Sequence, residues 1–163
     1  MPRTGRRLRP LEELYRHRFA AFARVAISIT GSSELGREAV QEAFARAIEQ
    51  IDGFRGDCPL EAWVWRIVVN TARTAATRAG LEVGGLETVS EAAAANGHHD
   101  ASHVQQWVQT LPERQKLVVF LRYWADLDYQ SIATALEVEV GTVSATLSAA
   151  HRALRRALEE VPR

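Results

Sequence analysis

The stretch Asp128-Tyr129-Gln130-Ser131-Ile132-Ala133-Thr134-Ala135-Leu136-Glu137-Val138-Glu139-Val140-Gly141-Thr142-Val143-Ser144-Ala145-Thr146-Leu147-Ser148-Ala149-Ala150 decides the fold. Ile132, Ala133 and Leu136 recur at the three- and four-residue spacing of one helix face, and so do Val140, Val143, Leu147, Ala150, Leu154 and Leu158 further on. Only Glu137-Val138-Glu139 is left to join the two runs. A brief helix, a very short turn and a longer helix make a helix-turn-helix, whose second helix is shaped to enter a major groove. The same spacing also suits a purely structural helical hairpin.

Outward from this motif, Pro112 opens a helix running through Trp124, and Val104 to Thr110 forms a short one before it. Upstream, Leu11, Leu14, Tyr15, Phe19, Phe22, Ala26 and Ile29 share one helix face until Gly31-Ser32-Ser33 breaks it. Val40, Phe44, Ala47, Ile48 and Ile51 mark a second helix ended by Asp52-Gly53, and Pro59 suits the first turn of a third, running to about Arg78. No strand pattern or repeat stands out, so the expected fold is all-α.

From Ala79 to Ser102 the chain is Gly, Ala, Glu and His with few large apolar groups, the composition of a flexible linker. The expected organisation is a basic tail at 1–9, a helical domain at 10–78, a flexible acidic linker at 79–102 and a second helical domain at 103–163. A length of 163 residues admits two such small domains, and 47% hydrophobic with 25% charged is ordinary for a soluble chain. No run reaches the eighteen or so apolar residues of a membrane span. The basic N-terminus has no apolar stretch of leader type, so a cytoplasmic protein with no membrane partner is expected. Cys58 is the single cysteine, which excludes an internal disulfide and a thiolate metal site. His98, His99 and His103 lie in a polar segment without a cysteine nearby, and no metal or cofactor is assigned.

The formal net charge is zero, against a protein that holds DNA by bulk electrostatics. Its distribution is uneven: residues 1–78 carry thirteen basic and nine acidic groups, 79–110 none and four, and 111–163 seven and seven. On the third helix Leu60, Val64, Ile67, Val68 and Thr71 cluster inward, while Trp63, Arg66, Asn70 and Arg73 share another face. An aromatic, two cations and an amide together suit unstacked bases, by stacking, phosphate contact and base-edge hydrogen bonds. The alternative is that Trp63 and Trp65 are core aromatics and Asn70 an ordinary surface residue.

Two sets of residues carry a family resemblance. Leu111-Pro112-Glu113-Arg114-Gln115-Lys116, Leu121-Arg122-Tyr123, Asp128-Tyr129-Gln130-Ser131-Ile132-Ala133 and Gly141-Thr142-Val143 resemble region four of the extracytoplasmic-function sigma factors of bacterial RNA polymerase. Gln41-Glu42-Ala43-Phe44, Phe54-Arg55-Gly56, Ala62-Trp63-Val64-Trp65-Arg66-Ile67 and Asn70 resemble region two of the same family. The resemblance implies a monomeric initiation factor that binds core polymerase and promoter DNA and has no catalysis of its own. It implies that Glu38, Gln41, Glu42 and Phe44 meet the clamp helices of the beta-prime subunit, and that region four meets the beta flap. It implies that Phe54, Arg55, Trp63, Arg66, Asn70 and Arg73 read the minus-ten element, capturing a flipped base. Thr142, Ser144, Ala145, Thr146, Ser148, Ala149 and Arg152 would face the minus-thirty-five element. Many members of the family are sequestered by an anti-sigma protein, a further partner to test for.

The chain departs from the family where the recognition helix usually carries Lys-Ser-Arg-Leu-x-Arg after Gly-Thr-Val. Here Ser144-Ala145-Thr146-Leu147-Ser148-Ala149 stands instead. A bidentate Arg contact supplies roughly 1–3 kcal/mol of base discrimination that hydroxyls and methyls do not replace. Upstream recognition is therefore expected to be weak. That departure, with the zero net charge, keeps open a sigma-fold interaction protein that binds polymerase or a regulator without choosing promoters. A conventional helix-turn-helix regulator is the third reading, but it leaves the Trp63 face unexplained.

Overall fold

A computed structural model describes residues 3–80 and 101–160; the histidines at 98 and 99, most of the expected linker and the side chain of His103 lie outside the described part. Every element there is helical. The N-terminal lobe comprises α1 (Arg3–Thr30), α2 (Ser33–Gln50), a 3-10 turn (Ile51–Gly53) and α3 (Leu60–Arg78). The C-terminal lobe comprises α4 (Ala101–Thr110), α5 (Glu113–Val119), α6 (Tyr129–Leu136) and α7 (Val140–Glu159).

The breaks follow local chemistry. Gly31 takes a φ of 68° to end α1, and the Ser32 hydroxyl then accepts from the Leu35 N–H at 3.3 Å to start α2. Gly36 sits where a Cβ would lie 2.7 Å from the Ile27 backbone, so glycine is what lets α1 and α2 touch. Residues 3–9, read as a tail, continue α1 instead, through Pro10. Arg7 explains part of this: its guanidinium donates to the carbonyls of Ile51 (3.3 Å) and Phe54 (3.0 Å) and ties the helix start to the loop before α3.

The inward stripes hold in their centres and fail at their ends. Leu11, Phe22, Ala26 and Ile29 are buried on α1, and Val40, Phe44 and Ala47 on α2, but Ile48 is 52% exposed. Val143, Leu147 and Ala150 are buried on α7, whereas Val140 and Leu158, near its two ends, are exposed. The helix expected through Trp124 widens at Phe120–Trp124 into a π turn, with the Ala125 N–H reaching the Phe120 carbonyl at 3.0 Å.

The two lobes are packed together. α3 lies against α1 and α2 on one side and against α6 on another, and the buried apolar side chains of both lobes form one continuous cluster. This double coverage explains why α3 is buried over more than the expected face: Ala62, Trp65, Val69, Ala72 and Ala76 are inside, while Leu60 and Ile67, expected inward, are only half-buried.

α6 is started by Asp128, whose side chain accepts from the Ser131 N–H at 2.8 Å. Hydrogen bonding to Ser131, aided by the Arg122 charge, holds this carboxyl below its ordinary value. A depressed carboxyl adds stability that is present at neutral pH and is lost as the pH falls below the ordinary 3.8. Asp128→Ala should cost about 1 kcal/mol at pH 7 in urea denaturation, and the difference from the parent should shrink in strong acid.

Candidate nucleic-acid interface

Phe54 and Trp63 are brought together, ring centroids 5.0 Å apart and inclined by 39°. The loop between the 3-10 turn and α3 achieves this, with the Phe54 N–H on the Ile51 carbonyl at 3.2 Å and Gly56 at a φ of 80°. Trp63 is not on an open face: it is 7% exposed, one of the buried aromatics, with half-buried Phe54 against it. Burial is the usual fate of so large an apolar surface. Arg55 is exposed beside this pair, Arg66 is half-buried, and Asn70 is exposed.

Asn70 and Arg73 face the other lobe. Asn70 Nδ2 donates to Glu137 Oε2 at 3.5 Å, and Arg73 Nε lies 3.5 Å from Glu113 Oε1. Arg73 also lines a cleft with Arg114, Val118, Leu136, Val138, Thr142, Val143 and Thr146. The first turn of α7 is thus bordered by two arginines from elsewhere in the chain. Arg114 was not among the expected contact residues; its sequence signal is its place in the Pro112-Glu113-Arg114 run at the start of α5.

On α7 the buried Val143, Leu147 and Ala150 seat the helix, leaving Ser144, Ala145, Ser148 and Arg152 exposed and Thr142, Thr146 and Ala149 half-buried. The Thr146 hydroxyl donates to the Thr142 carbonyl at 2.7 Å, so part of its hydrogen-bonding capacity is spent within the helix. Arg152 is the one exposed cation of the expected reading set on this helix.

On α2, Glu38, Gln41 and Glu42 are exposed, but Phe44 is not with them. Its ring is buried edge-on to Phe22 (5.3 Å) and to Tyr15 (4.9 Å), where apolar burial holds it in the core. Exposed Ile48, seven residues after Gln41, is the large apolar group of that outer face. The seven-residue interval was the available signal, and its place in an apparently inward stripe concealed it.

Comparison with known proteins places both halves. Residues 14–81 match the family described as Sigma-70 region 2, and residues 104–161 match Sigma-70, region 4. An RNA polymerase sigma-E factor of Streptomyces avermitilis is 31% identical over 154 residues, spanning 92% of this chain and 84% of the relative. The RNA polymerase sigma-H factor of Pseudomonas aeruginosa is 26% identical over 166 residues, spanning 91% and 84%. Among solved structures, the sigma factor RpoE bound to the anti-sigma factor NepR from Bartonella quintana superposes with a TM-score of 0.75 at 21% identity, over 93% of this chain and 98% of that one. CnrH in complex with the cytosolic domain of CnrY gives 0.71 at 21% identity, over 98% and 94%.

Proposed function

Because the chain belongs to the sigma-70 family of RNA polymerase sigma factors, in its extracytoplasmic-function branch, we propose that its promoter contacts are unequally divided, with α3 dominant and α7 subordinate. As such a factor the protein binds core RNA polymerase, recognises minus-ten and minus-thirty-five promoter elements and starts DNA-templated transcription. The observation that carries the division is the outer surface of α7: Ser144, Ala145 and Ser148 are exposed where the family carries cations.

In the bound state Phe54 and Trp63 supply aromatic surface, Arg55, Arg66 and Arg73 answer phosphates, and Asn70 hydrogen-bonds a base edge. Stacking on an aromatic stabilises a base by about 1–3 kcal/mol, comparable to the few kcal/mol that extrusion from the duplex costs. A base captured there holds the melted strand open. Thr142, Ser144, Ala145, Thr146, Ser148 and Ala149 offer the upstream element single hydrogen bonds and methyl contacts, with Arg152 on the backbone. Glu38, Gln41, Glu42 and Ile48 form the face of α2 that meets the beta-prime clamp helices, Phe44 supporting them from within, and the C-terminal lobe meets the beta flap. The factor works in the cytoplasm as a monomer when free, performs no bond chemistry itself, and has an anti-sigma protein as a further partner, the state in which RpoE is seen with NepR. No described helix is long and apolar enough to cross a membrane.

With Arg152, Arg155 and Arg156 as the exposed cations of α7, upstream DNA binding should weaken only shallowly with salt. The log-log slope should be no steeper than about −3, about 0.9 per phosphate; fluorescence anisotropy at increasing KCl measures it. The function as a whole is tested by run-off transcription with purified core polymerase on genomic fragments. Defined start sites are expected; core binding without start sites would leave an interaction protein of the same fold.

A further inference from the structure

Arg7 reaches a helix end that has no cation of its own. Its Nη1 donates to the carbonyls of Phe54 at 3.0 Å, Ile51 at 3.3 Å and Asp52 at 3.5 Å, across 44 to 47 positions of sequence. These carbonyls belong to the 3-10 turn that closes α2 and to the residue after it. Carbonyls at such an end lack helical partners and carry the negative pole of the helix, where a guanidinium is stabilising. Neither α2 nor the 3-10 turn has a basic residue in its last turn. Arg7 supplies that charge from α1.

The loop held in this way is the one that carries Phe54 to Trp63. From Arg55 to Cys58 no backbone N–H has a backbone partner among the described residues, and Arg55, Gly56 and Asp57 are exposed. A loop with so few bonds of its own opens locally at little cost. The stack on Trp63 holds the side chain of Phe54, and Arg7 holds its main chain. The segment that brings Arg7 lies before residues 14–81, which match the family. α1 runs through Pro10, which removes a helical hydrogen bond, so residues 3–9 extend the helix against a local cost. Leu8 against the core and Arg7 on the loop offset it.

We propose that Arg7 is a positioning residue for base capture, fixing the loop so that the Phe54 ring stays against Trp63 in the arrangement that receives the minus-ten base. This role rests on the Phe54–Trp63 pair being the capture site. Stacking depends on where the ring stands, and a ring held in place before the base arrives loses less freedom when it binds. Arg7 acts through Phe54 and touches no base itself. Arginine suits the task because its guanidinium keeps its charge at every pH the fold survives.

The test uses the full chain assembled with core polymerase, as parent, Arg7→Met and Arg7→Lys. The probes are a fluorescent single strand carrying a minus-ten element mapped by run-off transcription and a scrambled strand of the same composition. Arg7→Met should bind the minus-ten strand roughly two- to fivefold more weakly, the worth of one cation at a helix end. Its binding to the scrambled strand, its core binding and its helical circular dichroism should match the parent. Arg7→Lys, whose ammonium still meets the carbonyls, should recover most of the loss. Amide hydrogen exchange from Phe54 to Cys58 should quicken in Arg7→Met but not in Arg7→Lys. Salt separates positioning from direct contact: the log-log slope should be the same for parent and Arg7→Met, whereas a lost phosphate contact makes it shallower by about 0.7. A shallower slope with both strands weakened alike would overturn the role, as would unchanged binding, unchanged exchange or no recovery by Arg7→Lys. Phe54→Leu is the control on the site itself. If it loses the preference for the minus-ten strand while Arg7→Met keeps it, positioning by Arg7 fails alone; if both keep it, the Phe54–Trp63 site fails too.

Discussion

Asn70→Ala is expected to reduce promoter opening by the holoenzyme severely while leaving core binding and the melting temperature unchanged. Asn70 is exposed, and its partner across the lobes, Glu137, is exposed as well, so truncation leaves no cavity and no buried unpaired group. The loss is confined to contact with DNA. An asparagine holding a base edge is worth about 1–3 kcal/mol, a roughly 5- to 150-fold fall in the open fraction. Permanganate reactivity of unpaired thymines around the start site measures that fraction. Normal opening by the variant would remove α3 as the reading face. Trp63→Ala should also fail to open DNA, but Trp63 packs on Phe54 and the substitution disturbs folding too. Trp63→Phe, which keeps an aromatic on that stack, should retain most of the opening.

Trp65→Ala should unfold the N-terminal lobe. Trp65 is 0% exposed, lies 4.2 Å centroid to centroid from Phe22 and donates from Nε1 to Glu61 at 3.4 Å. Glu61 is in turn held by Arg18. Removing so large a buried ring costs about 3–5 kcal/mol, a large part of the 5–15 kcal/mol that holds a typical domain together. Helical circular dichroism in urea should show the loss, and core binding should disappear with it, unlike the effect of Asn70→Ala.

The contrast between the two tryptophans shows how far the sequence could be read. Two residues apart on a helix they point to opposite sides, and the spacing separates their faces but does not say what covers each. Trp65 entered the core between α1, α2 and α3, where local periodicity is a sound guide. Trp63 was covered by a loop aromatic, and the flank of α3 was covered by α6, some sixty residues further along the chain. Packing of one lobe on another leaves no local period to detect.

Boundaries were legible where a residue imposes its own geometry: Gly31 and Ser32 between α1 and α2, Pro59 before α3 and Pro112 before α5. The helical fold, the two lobes and the helix-turn-helix were legible for that reason. The π turn at Phe120–Trp124 was not, since its residues are as apolar and regular as those of an α-helix. On α2 the periodicity placed Phe44 and Ile48 on one inward arc; Phe44 is buried, but Ile48 lies at the edge of that arc and is exposed. Glu137 read as a turn residue; its left-handed backbone and its reach to Asn70 belong to the assembled fold.

The uneven division of promoter contacts is tested most directly by scrambling each element of a mapped promoter in turn and measuring run-off transcription with the reconstituted holoenzyme. Scrambling the upstream element, which we propose Thr142, Ser144 and Ser148 read, should cost only a few-fold. Scrambling the minus-ten element, which we propose Asn70 and the Phe54–Trp63 pair read, should eliminate the transcript. Equal losses, or a greater loss from the upstream change, would contradict the account.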